Sequence, residues 1–169
     1  MRLTSDLTAY DPAWPRAFDA EAARLAPIFG AGCVAVHHVG STAVPGLLAK
    51  PEIDILVTVL DDAPLGVLGR ALEARGYRRG RDLAEGHRFF KRDVDGVRTH
   101  KLHVCAPDHP RAARMLAIRD HLRADAGARR AYADLKLRLA RDNRAGIAEY
   151  LAGKAPFLEA LYISVKAAR

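Results

Sequence analysis

Cysteine is scarce. Cys33 and Cys105 are too few and too far apart for a disulfide framework or a zinc site. No apolar run approaches the roughly 18 residues that a membrane span needs. The opening MRLTSDLTAYDPAW lacks the apolar centre of a secretory signal. These absences lead to the expectation of a cytoplasmic protein without membrane association. Internal repeats, low-complexity tracts and linkers are missing as well, so 169 residues are expected to form a single domain spanning 1–169. Acidic residues are outnumbered: 20 Asp and Glu face 27 Lys and Arg, a net charge of +7. The excess concentrates between Arg111 and Arg144, where nine arginines and Lys136 stand against four aspartates. Such a run attracts phosphate, or it simply solvates a helix surface. It lacks interleaved exposed aromatics and carries no nucleic-acid motif, so a nucleic-acid partner is not expected.

What is present reads as α/β. Asp11-Pro12 marks a helix start, followed by Trp14, Phe18, Ala22, Leu25 and Phe29 at helical spacing, up to Gly30. Cys33 to Val39 and Glu52 to Leu60 read as strands, and Pro64 to Arg75 as a helix. Gly86 to Asp93 and Val97 to Cys105 flank Val94-Asp95-Gly96 as a hairpin. Asp108-His109-Pro110 then opens a helical remainder, punctuated at Gly127, Asn143 and Gly153-Pro156. A turn-linked strand pair followed by a hairpin points to a mixed sheet.

Chemistry concentrates in HVGSTAVPGLLAKPEIDILV, His38 to Val57. Gly40 permits close backbone approach, Ser41 and Thr42 offer donors to phosphate oxygens, and Lys50 adds a cation. The Gly-Lys-Ser/Thr of a Walker loop is not there. Side chains alternate along a strand, so Glu52 and Asp54 share a face, roughly 6.6 Å apart along the chain, while Ile53, Ile55 and Val57 face the core. Two carboxylates after such a turn suit a divalent cation bridging substrate phosphates, Mg²⁺ or another. Glu52 alone reads equally well as an exposed, solvated charge. Asp54 interrupts an apolar strand and needs a partner.

In VRTHKLHV, alternation places Thr99, Lys101 and His103 on one face and His100 on the other. Either histidine would reach Asp54 if the strands are neighbours, as a metal ligand or a general base. A hydrogen-bonded structural histidine is the alternative for at least one of them. His38, at the strand end before the loop, is a further substrate-binding candidate. Lys136, flanking the stripe of Tyr132, Leu135 and Leu139, is one cation for an anionic substrate. Lys154, within the stripe of Ile147, Tyr150, Leu151, Leu158, Leu161 and Val165, is another, and Arg119 a third.

The combination of YDPAWPRAF, HVGSTAVPGLLAKPEIDILV, RTHKLHV, IRDHLR and YADLK, over nearly the whole chain, resembles the GrpB family. That resemblance implies a nucleotidyltransferase-like fold: a small mixed sheet flanked by helices, with a helical C-terminal part. A related domain occurs fused to dephospho-CoA kinase. The wider superfamily carries Gly-Ser, then an Asp-apolar-Asp/Glu strand, then a third carboxylate on a later strand. Gly40, Ser41 and Asp54 match it. Leu56 stands where the second acid would be, and His103 where the third would be. Lys101 replaces a histidine common in the family. The resemblance thus implies a protein binding a nucleotide or other small anion, with metal-assisted nucleotidyl or phosphoryl transfer carried by Asp54, Glu52 and His103. A non-catalytic ligand-binding module and a metal-free acyl- or amide-forming enzyme with His103 as base are the alternatives.

Overall fold

In the computed structural model the described residues are 6–60 and 65–168. The chain runs α1 (Trp14–Phe29), β1 (Cys33–Val39), β2 (Ile53–Val59), α2 (Leu65–Glu73), β3 (Tyr77–Arg79), β4 (Arg88–Val94) and β5 (Val97–Cys105). It ends in α3 (Pro110–Ala124), α4 (Ala126–Asp142) and α5 (Ile147–Ala167). The strands form one mixed sheet in the order β1-β2-β5-β4-β3. Only the central pair, β2 with β5, is parallel among the described strands. This is the mixed α/β sheet flanked by helices, with a helical C-terminal part, that the sequence predicts.

The alternation Ile53-Ile55-Val57 is what sets the sheet's orientation. These side chains are buried with Leu102 and Val104 against Trp14 and Leu25 of α1 and Leu68 and Leu72 of α2. The opposite face packs Val39, Leu56 and Cys105 on Ala112 of α3. A third cluster joins Val44 and Leu47, from the loop after β1, to Leu122 of α3 and Tyr132 of α4. The C-terminal helices therefore lean on the loop as well as on the sheet, and the space between them is where the candidate pocket forms.

Several boundaries differ from the sequence expectation. Helix α1 begins at Trp14 rather than Pro12, because Pro15 fits the first turn; the Asp11 carboxylate still accepts from Ala13 N, at 2.8 Å. The expected start at Pro64 lies outside the described residues. Strand β3 leaves no signal in the sequence: three residues are too short for a periodic pattern. The hairpin turn is the two residues Asp95 and Gly96, with φ of 51° and 76°, the left-handed pair that tight hairpins need. Neither Gly127 nor Gly153-Pro156 interrupts a helix. The break between α3 and α4 falls at Asp125, whose side chain caps α4 by accepting from Ala128 N. Helix α5 continues through Pro156.

Candidate functional site

Gly40 ends β1 with φ of 73°, a left-handed conformation. A Cβ at this position would lie 2.4 Å from Asp54 Oδ2, so the glycine lets the loop cross directly over the carboxylate. The chain then makes a single 3-10 turn, Ser41–Ala43. Thr42 is buried and donates its hydroxyl to the Glu52 carbonyl at 3.1 Å, while its Oγ1 meets His38 Nε2 at 3.0 Å. The His38 ring stacks on Phe18, centroids 4.7 Å apart. Burial lowers its pKa to about 4, so it is neutral. His38 and Thr42 thus tie the loop to β1, β2 and α1. His38 is a structural histidine and lines no part of the pocket described below.

The parallel register places Asp54 beside Lys101, and Leu56 beside His103. Alternation on each strand then brings Glu52, Asp54, Lys101 and His103 onto one face. Lys101 Nζ lies 2.5 Å from Glu52 Oε2 and 3.8 Å from Asp54 Oδ1. Lys50 Nζ lies 2.8 Å from Glu52 Oε1. Glu52 is therefore no exposed charge; it is 2% exposed and clamped between two ammonium groups. Burial works against its ionised form, but Lys101 and Lys50 outweigh that and hold the carboxyl below its ordinary value. For Asp54, burial again opposes ionisation, and Lys101, His103 and Lys154 overcome it, bringing the carboxyl down to about 2. His100 points the other way, toward Tyr77, ring centroids 6.5 Å apart. It belongs to the α1–α2 side of the sheet and does not reach Asp54.

His103 Nε2 stands 3.9 Å from Asp54 Oδ1, and its Nδ1 is 3.0 Å from Nε2 of His87, the residue just before β4. The buried Nδ1 of His87 has no hydrogen-bond partner among the described residues. Burial, with His103 and Arg111 nearby, lowers the pKa of His87 to about 4. A single ring proton on His87 is best placed on Nε2, where it donates to His103. His103 then carries its own proton on Nε2, facing Asp54. His87 escapes detection in the sequence because nothing in GHRFF marks it; only the β4–β5 pairing brings it to His103.

The C-terminal helices close the other side. Lys136 of α4 is 1% exposed. Its Nζ donates to Ser41 Oγ at 3.2 Å and to the Leu48 carbonyl, and lies 4.8 Å from the centre of the Tyr132 ring. Lys154 of α5 sits over the Tyr150 ring at 4.5 Å. Burial and the neighbouring Lys154 lower the Lys136 ammonium to about 7. Burial and Lys101 lower Lys154 to about 8. Tyr132 and Tyr150 are pocket walls that read in sequence only as apolar stripe positions.

Two connected hollows result. A small polar pocket of about 50 Å³ is lined by Ser41, Lys50, Glu52, Asp54, Lys101, Lys136 and Lys154 with Tyr150. A wide cleft of about 470 Å³, mostly apolar, adjoins it and shares Ser41, Asp54, Lys101 and Lys154. Arg119 lines the cleft, but its guanidinium donates to the His38 carbonyl at 3.1 Å and to Asp120 at 2.7 Å.

The donor set does not fit a divalent cation. Among the described residues no three His, Cys, Asp or Glu side chains converge as metal ligands. Glu52 faces two ammonium groups, leaving Asp54 with an imidazole N–H, and four lysines line the same pocket. A hard dication needs oxygen ligands and net negative charge.

The arrangement of sheet, loop and helices defines a nucleotidyltransferase-like fold. A Cid1 poly(U) polymerase structure bound to MgATP superposes with a TM-score of 0.57 at 11% identity, over 86% of this chain and 50% of that one. A family profile described as GrpB protein matches residues 4–163, and the chain belongs to the GrpB family. The crystal structure of conserved protein GrpB from Enterococcus faecalis matches with a TM-score of 0.87 and 33% identity, over 95% of this chain and 96% of that one. A UPF0157 protein of Halalkalibacterium halodurans is 40% identical over 90% of this chain and 78% of its own length. The UPF0157 protein YqkA of Bacillus subtilis is 35% identical over 88% of this chain, which spans only 43% of that relative. Dephospho-CoA kinase of Mycobacterium tuberculosis is 29% identical over 94% of this chain and 46% of its own length. No helix among the described residues is long and apolar enough to cross a membrane.

Proposed function

We propose that the polar pocket binds a small anionic ligand, with a nucleotide or another phosphate compound as the leading class, and neutralises its charge with lysines instead of a bound dication. The observation that carries this reading is the gathering of Lys50, Lys101, Lys136 and Lys154 around Ser41 and Asp54. Two carboxylates balance only part of that charge, and Lys154 has no carboxylate within 4 Å among the described residues. Phosphoryl or nucleotidyl transfer in such a site would depend on positioning and on charge neutralisation by ammonium groups. Binding without turnover is the second reading. Leu56 favours it, being fully buried under α3 where the second acid of the superfamily would stand.

The test is calorimetric titration with ATP, pyrophosphate and inorganic phosphate, in EDTA and in Mg²⁺. The reading expects binding in EDTA that Lys154→Ala weakens by about tenfold or more, the loss of one charge-assisted contact. Binding that appears only with Mg²⁺, or that ignores Lys154, would overturn it. Analysis of the bound nucleotide after incubation separates transfer from binding alone.

A further inference from the structure

The contact between Lys136 and Ser41 can do more than hold an anion. Ser41 sits where β1 turns through Gly40 into the 3-10 turn, half-buried, and its side chain lines both the polar pocket and the wide cleft. Behind it is an amine enclosed by protein, 3.2 Å from Ser41 Oγ, and Tyr132 lines the same cleft as Ser41. No carboxylate pairs with Lys136 among the described residues, in contrast to Lys50 and Lys101, which hold Glu52. An uncharged amine keeps two N–H donors, one of which serves the Leu48 carbonyl, and gains a lone pair that can receive the Ser41 hydroxyl proton. This is the nucleophile-and-base geometry of covalent catalysis.

We propose that Ser41 is an acyl-accepting nucleophile with Lys136 as its general base, acting on an activated ester or thioester whose apolar acyl group occupies the wide cleft. Ser41 Oγ attacks the acyl carbon while its proton passes to the Lys136 amine. The carbonyl electron pair moves onto oxygen, facing the Lys154 ammonium that borders both hollows. On collapse the carbonyl re-forms, the bond to the alcohol or thiol breaks, and that leaving group takes the proton from Lys136. An acyl-serine ester remains. Water or an amine then attacks it, with Lys136 accepting the incoming proton and returning it to Ser41 Oγ. Phe89, Met115, Ile118, Leu122, Leu151 and Leu158 give the cleft the apolar wall such an acyl group requires.

The protonation of Lys136 suits the role. Burial, seconded by Lys154, lowers it to about 7, near the optimum for a base working at neutral pH. The charged and titratable groups facing the two hollows are Lys50 from the loop, Glu52 just before β2, Asp54 from β2, Lys101 and His103 from β5, Arg111, Arg114 and Arg119 from α3, Tyr132 from α4, and Tyr150 and Lys154 from α5. The inference goes beyond the anion-site reading, and the two can fail separately.

The experiment treats the full chain with a fluorophosphonate probe and with p-nitrophenyl butyrate, maps the adduct by peptide mass spectrometry, and follows its rate from pH 5 to 9. The expected adduct is on Ser41, with a rate that rises through an inflection near pH 7. Ser41→Ala abolishes it. Lys136→Arg, which keeps the charge but supplies no base, slows it by about a hundredfold or more and removes the inflection. Circular dichroism and urea unfolding of the same variants confirm that they are folded, and pyrophosphate titration of the parent tests the anion reading separately. Labelling of Ser41 without pyrophosphate binding sinks the anion reading and supports this one. Absence of labelling in the folded protein, labelling elsewhere, or a Lys136→Arg rate equal to the parent overturns the nucleophile.

Discussion

Gly40 and Asp54 are packed so closely that no side chain fits between them: a Cβ on Gly40 would come within 2.4 Å of Asp54 Oδ2. The loop carrying Ser41 is therefore registered against the strand carrying the carboxylate, and the geometry of the pocket depends on both. Gly40→Ala meets two costs at once, the φ of 73° and the displaced carboxylate. The left-handed backbone alone costs about 1–3 kcal/mol. Urea denaturation should show at least that loss, together with weakened pyrophosphate binding. A variant as stable as the parent would mean that the loop can lift off β2.

Glu52 holds Lys50 and Lys101 apart from each other's charge, with contacts of 2.8 and 2.5 Å. Glu52→Gln leaves two ammonium groups facing a neutral amide in a buried place. Removing one partner of a buried ion pair costs about 3 kcal/mol or more. The midpoint of urea unfolding should fall accordingly at pH 7. A loss below about 1 kcal/mol would show the clamp to be solvated and weak.

Much of this arrangement is legible in the order of residues along the strands. Alternation in Ile53-Asp54-Ile55 and in Lys101-Leu102-His103 already separates the core-facing residues from the polar ones. What alternation cannot supply is the parallel register that sets Asp54 against Lys101, because that pairing spans a helix and a hairpin. For the same reason Glu52 reads as an exposed charge in sequence although it is clamped by lysines. His100 and His103 look equivalent as ligands, yet the sheet sends them to opposite sides. Tyr132, Tyr150 and His87 carry no local signature; they enter the site only through packing between α4, α5 and the sheet.

The acid limb of stability should follow Asp54. Its carboxyl lies at about 2 in the folded chain, against an unfolded value of about 3.9. A depressed carboxyl contributes stability that is complete above the unfolded value and lost as pH falls through the folded one. The window is therefore pH 4 down to 2, with about 2–3 kcal/mol at stake. Glu52, also depressed, adds in the same direction. Asp54→Asn should flatten the slope of unfolding free energy over that range. An unchanged slope would place the acid sensitivity elsewhere.

His87 offers a test of the buried histidine pair. His87→Phe fills the ring's volume but removes the contact between Nε2 and His103 Nδ1, which is 3.0 Å long. Leaving Nδ1 of His103 without a partner costs about 1–3 kcal/mol. Nitrogen-15 spectra of the parent should show His103 as the Nε2–H tautomer, and the variant should show a mixture. A parent already in the Nδ1–H form would reverse the direction of that hydrogen bond.

Lysine burial should give the alkaline side an opposite signature. Lys136 lies at about 7 and Lys154 at about 8 when folded, against an unfolded value of about 10.4. Between those values the unfolded chain binds more protons than the folded one, so stability rises with pH from about 7 to 10. Lys50, lowered chiefly by burial, acts in the same sense, whereas Lys101 is raised because Asp54 and Glu52 outweigh its burial, and acts against it. Lys136→Met should lower the slope of unfolding free energy from about pH 7 upward, leaving the part of the rise that Lys154 and Lys50 supply. The Leu48 carbonyl and Ser41 Oγ lose their donor in that variant, so the comparison rests on slope, not on absolute stability. A parent whose stability falls between pH 7 and 8 would mean that Lys136 stays charged, and that its enclosure by Ser41, Leu48 and Tyr132 stabilises the ammonium instead of the amine.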